Sequence, residues 1–164
     1  MSPKDAAAAV RSFPRRYRGL LVTPAPTDSP DAVFRRRPRP AAWSALEHTA
    51  HVADRLDHLG TAIFRVTREN TPAVASFDND ERATAKGYND LDRIEVLGWL
   101  ELAAGELASV IDGVRPDDWM RTALVAGAGE RDALTLARDG VHEGAHHLRD
   151  IRAVLDEVRG RPAG

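Results

Sequence analysis

Apolar positions recur at helical spacing in four stretches of the chain. In the first, about residues 4–22, Val10, Phe13, Tyr17 and Leu20 fall on one stripe. Pro14 interrupts it and predicts either a kink or a place in the first turn. The second begins sharply at Trp43-Ser44-Ala45-Leu46-Glu47, where Ser44 and Glu47 have the spacing of a capping box. Its seam, Val52, Leu56, Leu59, Ile63 and Val66, steps alternately by four and three residues. The third, about 90–112, carries Leu97, Leu100, Ala104, Leu107 and Ile111. The fourth, about 132–158, carries Leu148, Ile151, Leu155 and Val158, with Gly160 and Pro162 as stop signals.

The segments between them are uneven. Residues 23–42 hold prolines at 24, 26, 30, 38 and 40, and a connection of this length inside a compact domain is usually a crossover or functional. Residues 68–89 are polar with room for a short helix. Residues 113–131 contain Pro116-Asp117-Asp118-Trp119 and Gly127-Ala128-Gly129, and 121–126 has the pattern of a short extended piece. The expectation is an all-α four-helix bundle, one domain over 1–164, with a long crossover loop between its first and second helices.

Composition narrows the function. A net charge of −2 shows no basic excess of the kind that marks nucleic-acid or membrane-surface binders. No apolar run is long enough to span a bilayer, and the N-terminus lacks the apolar core of a signal peptide, so a cytoplasmic protein is expected. Cysteine is absent. That removes disulfides, thiolate nucleophiles and Cys-based metal sites, and leaves histidine and carboxylate for metal chemistry.

The six histidines fall in two clusters. His48, His51 and His58 lie on the second helix, and His142, His146 and His147 on the fourth. Residues three or four apart share a helix face. The fourth helix therefore offers two chelating pairs, His142 with His146 and Glu143 with His147. The first pair continues along Arg149, Ala153 and Asp156, a solvent-facing stripe. The second continues along Ile151, Val154 and Val158, an inward one. Bundles build metal sites from inward side chains, so periodicity prefers Glu143 and His147. On the second helix His48 leads into the Val52 seam, while His51 lies about 100° from its centre, so the stripe alone favours His48. Two histidines and a carboxylate on a divalent ion leave positions open for water or substrate, the mark of a catalytic set.

Other readings overlap this one. His142-Glu143-Gly144-Ala145-His146 is a literal H-E-x-x-H, the metalloprotease signature, but few residues remain to supply a third ligand. Glu143-x-x-His146 matches half of a di-iron requirement, and the second helix lacks the other half, because Ala50 stands three after Glu47. Asp54, three residues after His51, is a candidate to orient a ligand imidazole or to meet His58. His48, His142 and His146 are candidate acid–base or rim residues. Arg35, Arg36, Arg37 and Arg39 form a run that either grips an anion or is solvated. Trp99 and Trp119 read as packing.

Trp43-Ser44-Ala45-Leu46-Glu47-His48-Thr49-Ala50-His51-Val52-Ala53-Asp54 resembles the second-helix motif of the DinB/YfiT-like superfamily. Val141-His142-Glu143-Gly144-Ala145-His146-His147-Leu148-Arg149-Asp150-Ile151 resembles its fourth-helix motif. Arg37-Pro38 and Pro116-Asp117-Asp118-Trp119 fit the same pattern, so the resemblance spans about 35–158. It implies a bundle with a divalent metal near one end, zinc first among candidates that include nickel, iron and manganese. Carried over by position, the resemblance puts the ligands at His51, Glu143 and His147. On the second helix it opposes the stripe; on the fourth it agrees with it. Many members have His where Glu143 stands, and the mycothiol-dependent maleylpyruvate isomerase branch resembles this chain in using Glu. The implied activity is S-transfer or isomerisation of a small-molecule substrate with a low-molecular-weight thiol such as mycothiol or bacillithiol. A non-catalytic metal-binding or stress-related bundle and a small metalloprotease are the alternatives. A homodimer is an expectation from similar proteins.

Overall fold

The computed structural model describes residues 1–21 and 30–160. Four long helices form the body: α1 (Pro3–Leu21), α3 (Ala45–Val66), α5 (Arg93–Asp112) and α6 (Ala133–Val158). Two short ones, α2 (Pro30–Arg35) and α4 (Asn79–Ala85), lie in the connections. Pro14 sits well inside α1 rather than in its first turn. Ser44 caps α3 in a complete capping box: its hydroxyl accepts from the Glu47 amide at 3.1 Å, and its own amide donates to Glu47 Oε2 at 2.8 Å. Asp92 and Asp132 cap α5 and α6 with their carboxylates. At the end of α6, Gly160 takes a left-handed φ of 68°, a conformation that costs glycine little. Pro162, like Pro24 and Pro26, lies outside the described residues.

The whole α3 seam is buried, and Val10, Phe13, Tyr17, Leu100, Leu107, Ile111, Leu148, Ile151 and Leu155 join it in one core. Leu20 is half-exposed, and Leu21 takes the buried place at the end of α1. Trp99 and Trp119 pack against the core, as expected of them.

The order of the helices around the bundle is not their order in the chain. Helices α1 and α3 each pack against both α5 and α6. Consecutive long helices α1 and α3 therefore stand across the diagonal, and so do α5 and α6. The expected crossover between the first two long helices is present, and a second diagonal connection joins the last two. That second connection carries β2 (Thr122–Val125) and β3 (Gly129–Asp132), which form a three-stranded sheet with β1 (Ala73–Val74) from the connection between α3 and α5. β1 runs parallel to β2, and β2 and β3 form an antiparallel hairpin. Gly127 and Gly129 turn this hairpin with φ of 77° and 76°.

The arginine run fastens the first connection. Arg35 donates to the Asn89 carbonyl, Arg36 to that of Val158 at 3.3 Å, and Arg37 forks onto Glu47, with Nε at 3.0 Å from Oε2. Glu47 is thereby held by both the cap and the crossover, which fixes where α3 begins. Among the described residues no helix is long and apolar enough to cross a membrane.

Candidate metal centre

Helices α3 and α6 run antiparallel, because residues near 48–51 meet 143–147 while Leu56 and Leu59 meet Gly140. This brings His51, Glu143 and His147 together, one donor atom from each within 4.8 Å of the others. Glu143 Oε2 is 3.4 Å from His51 Nε2 and 3.4 Å from His147 Nε2. These distances are long for a hydrogen bond. They suit a shared ion: a tetrahedral metal about 2.1 Å from each donor sets the donors about 3.4 Å apart.

Burial supports that fit. His51 is wholly buried, and its Nδ1 has no hydrogen-bond partner among the described residues. A buried polar atom left this way is costly, and native structures rarely leave one without a reason. His147 is 9% exposed. Its Nδ1 lies 3.0 Å from Asp150 Oδ2 and 3.0 Å from His48 Nδ1. A neutral imidazole carries one hydrogen; donated from Nδ1 to Asp150, it leaves the Nε2 lone pair facing Glu143 and His51. A carboxylate behind a ligand histidine is the usual way of fixing its tautomer. Trp43 packs against His48 and His51 with ring centroids 5.5 and 5.1 Å away.

The electrostatics favour an ionised carboxylate. Burial by itself would raise the Glu143 carboxyl; the facing His147 and His51 imidazoles and the nearby Arg55 charge outweigh it and hold the group well below the usual range. Burial first, and the His147 charge second, push His48 down to about 4, so at neutral pH it is an uncharged imidazole.

The two pairs on α6 separate as their stripes predict. His142 and His146 are both exposed and stack on each other at 5.7 Å. Among the described residues neither belongs to a cluster of three donors, so the H-E-x-x-H spelling gathers no third ligand. On α3 the motif resemblance selects the residue nearest Glu143, His51, and the apolar stripe selects its neighbour in the supporting layer, His48.

Asp54 does something other than orient an imidazole. It receives Arg82 at 2.7 and 2.6 Å, Lys86 at 2.8 Å and the Tyr88 hydroxyl. His58 packs edge-on against Phe77 at 5.2 Å. Asp150, Arg55 and Phe77 escape the sequence reading. Asp150 stands three residues after His147 and was findable by helix spacing, but such a carboxylate is common on any solvated face. Phe77 comes from a loop, and no local pattern announces it.

A DinB superfamily model matches residues 14–151. The chain belongs to the DinB superfamily. Its structural neighbours share the fold. YfiT from Bacillus subtilis, described as "a probable metal-dependent hydrolase with an unusual four-helix bundle topology", matches with a TM-score of 0.84 at 15% identity, over 98% of this chain and 91% of that one. The four-helix bundle protein TT2238 matches with a TM-score of 0.67 at 22% identity, over 93% of this chain and 99% of that one. The mycothiol-dependent maleylpyruvate isomerase matches with a TM-score of 0.71 at 16% identity. That match takes in 92% of this DinB chain but only 61% of the isomerase. No curated protein matches in sequence.

Proposed function

We propose that the chain is a metal-dependent enzyme acting on a small molecule, with His51, Glu143 and His147 holding one divalent cation, zinc in the first instance. The observation that carries this is Glu143 Oε2 standing 3.4 Å from the Nε2 atoms of both buried imidazoles. Two imidazoles and a carboxylate leave coordination open, which is the donor set of catalysis rather than of structure. The likeness to YfiT and to the mycothiol-dependent isomerase supports the same reading. We infer further that the co-substrate is a low-molecular-weight thiol of the mycothiol or bacillithiol type. The chain has no cysteine, so any sulfur must arrive with the ligand.

A bound divalent ion supplies a Lewis acid that lowers the pKa of a thiol or water beside it. The chain's own residues do the rest. Asp150 holds the His147 tautomer, and Trp43 and the α3 backbone fix His51. A cytoplasmic setting goes with this reading, because the thiol must stay reduced.

The test is metal analysis of the purified protein and of the variants His51→Ala and His147→Ala. The wild type should carry one equivalent, and both variants should lose it while staying helical. Full occupancy in both variants would sink the ligand assignment. Turnover of a model electrophile with mycothiol or bacillithiol then tests the thiol. Metal-dependent hydrolysis without any thiol would make the protein a hydrolase instead.

A further inference from the structure

Arg55 lies one helical turn beyond His51 on α3, beside the candidate metal centre. Its guanidinium sits 4.9 Å from the centroid of the Phe77 ring. Arg82 lies against the same ring at 4.5 Å. The two cations differ in one respect. Arg82 is occupied by Asp54 through a two-pronged hydrogen bond. Arg55 makes no hydrogen bond to any described residue; its nearest carboxylate oxygen, Glu143 Oε1, is 4.0 Å from Nε. The side chain is only 21% exposed, yet none of its nitrogens is a fully buried orphan, so the donors still reach solvent. A guanidinium presents five N–H groups in a planar fork that matches a carboxylate.

We propose that Arg55 is the recognition residue for a carboxylate on the small molecule this protein acts on, with Phe77 holding its guanidinium plane beside the metal donors. This rests on the metal-centre reading for the identity of the site, but the fork and its want of a hydrogen bond among the described residues are observed independently of any ion. A carboxylate fits better than a phosphate dianion. Glu143, Asp139 and Asp150 already make the surroundings acidic, and Arg55, beside Glu143, has no hydrogen bond among the described residues. One fork balances one negative charge. Phe77 has an aromatic edge on His51 at 5.7 Å and on His58 at 5.2 Å, so the ring spans from the donors to the cation. Recognition of this kind selects sharply, because an uncharged analogue would leave the half-buried fork without an acceptor.

The test uses two probes of nearly equal size, mercaptoacetate and its uncharged methyl ester. Both are titrated calorimetrically into zinc-loaded wild type, Arg55→Gln and Arg55→Lys. The wild-type preference for the acid over the ester should fall at least tenfold in Arg55→Gln and partly return in Arg55→Lys, with zinc content unchanged. Comparing ratios cancels the difference in thiol acidity between the probes. An acid-to-ester ratio unmoved by Arg55→Gln overturns the proposal. So does loss of zinc in that variant, since Arg55 would then act through Glu143. A second measurement separates this from the metal reading. Acetate titrated into metal-free wild type should shift the Arg55 Nε–Hε resonance in a 15N spectrum. A shift in a protein that takes up no zinc leaves the carboxylate site standing and removes the metal; no shift, with zinc bound normally, does the reverse.

Discussion

His147 has one nitrogen facing Glu143 and the other facing Asp150, and the two sides are separable by mutation. Asp150→Asn keeps the shape but removes the negative charge behind the imidazole and turns one of the two acceptor oxygens into a donor. Loss of such a supporting carboxylate costs about 10–100-fold in metal affinity. Competition against a chelator should show that drop, with one equivalent still bound at high metal. A variant with unchanged affinity would assign the His147 orientation to His48 instead. How legible these residues were follows from what each is attached to. Glu143 and His147 announce themselves, because an inward helical stripe is a local pattern of period 3.6. His51 does not, because α3 has neighbours on two sides and buries a face wide enough for both His48 and His51. The longer motif picked His51 where the apolar stripe favoured His48. Arg55 and Phe77 acquire meaning only from a contact between a helix and a distant loop, and no spacing encodes that.

Among the elements, α1 meets α6 closely at Gly144. The Tyr17 hydroxyl donates to the Gly144 carbonyl at 2.9 Å, and a Cβ placed at Gly144 would overlap the Phe13 ring. Gly144 reads as neutral within the H-E-x-x-H spelling, yet it sets the distance between two helices. Gly144→Ala should destabilise by about 1–3 kcal/mol through overpacking, measured by urea unfolding. Gly105→Ala is the control. Nothing lies within 4 Å of the added methyl, and better helix propensity should make it neutral or stabilising by up to about 1 kcal/mol. The long helices were readable because each holds its pattern over many turns. Of the strands only β2 was foreshadowed, by the extended stretch at 121–126; β1 and β3 have two and four residues, too few for alternation to stand out. The second diagonal connection was hidden for another reason. Periodicity shows which face is buried, not which neighbour buries it.

For the molecule as a whole, Asp54 ties α4 and the turn after it to α3. Burial would raise its carboxyl, but Arg82, Lys86 and Tyr88 outweigh burial and hold it at about 2, against 3.8 for an unperturbed group. A pKa depressed on folding contributes stability that is complete above the unfolded value and fades as pH falls through the folded one. The contribution is therefore present above about pH 4 and lost toward pH 2. At about 1.4 kcal/mol per unit, it amounts to about 2 kcal/mol at neutral pH. Asp54→Asn should lower stability by about that much at pH 7, and its deficit against the wild type should shrink as both are acidified from pH 4 to pH 2. A deficit independent of pH would mean that Asp54 acts through packing rather than charge.

The diagonal placement of consecutive helices has one more consequence. His51 and Glu143 are 92 positions apart along the chain, so their meeting closes a loop of more than half its length. A cation gripped between them would act as a removable clasp on a polypeptide that has no cysteine with which to make a permanent one. A covalent crosslink would restrict the unfolded chain; a reversible ion instead stabilises by binding the folded chain and leaving when it unfolds. Zinc at one hundred times its dissociation constant should add about 2.7 kcal/mol and raise the melting temperature in a concentration-dependent way. A chelator should reverse the gain, so the ion's supply would govern how long the chain survives heat or a protease, quite apart from any turnover.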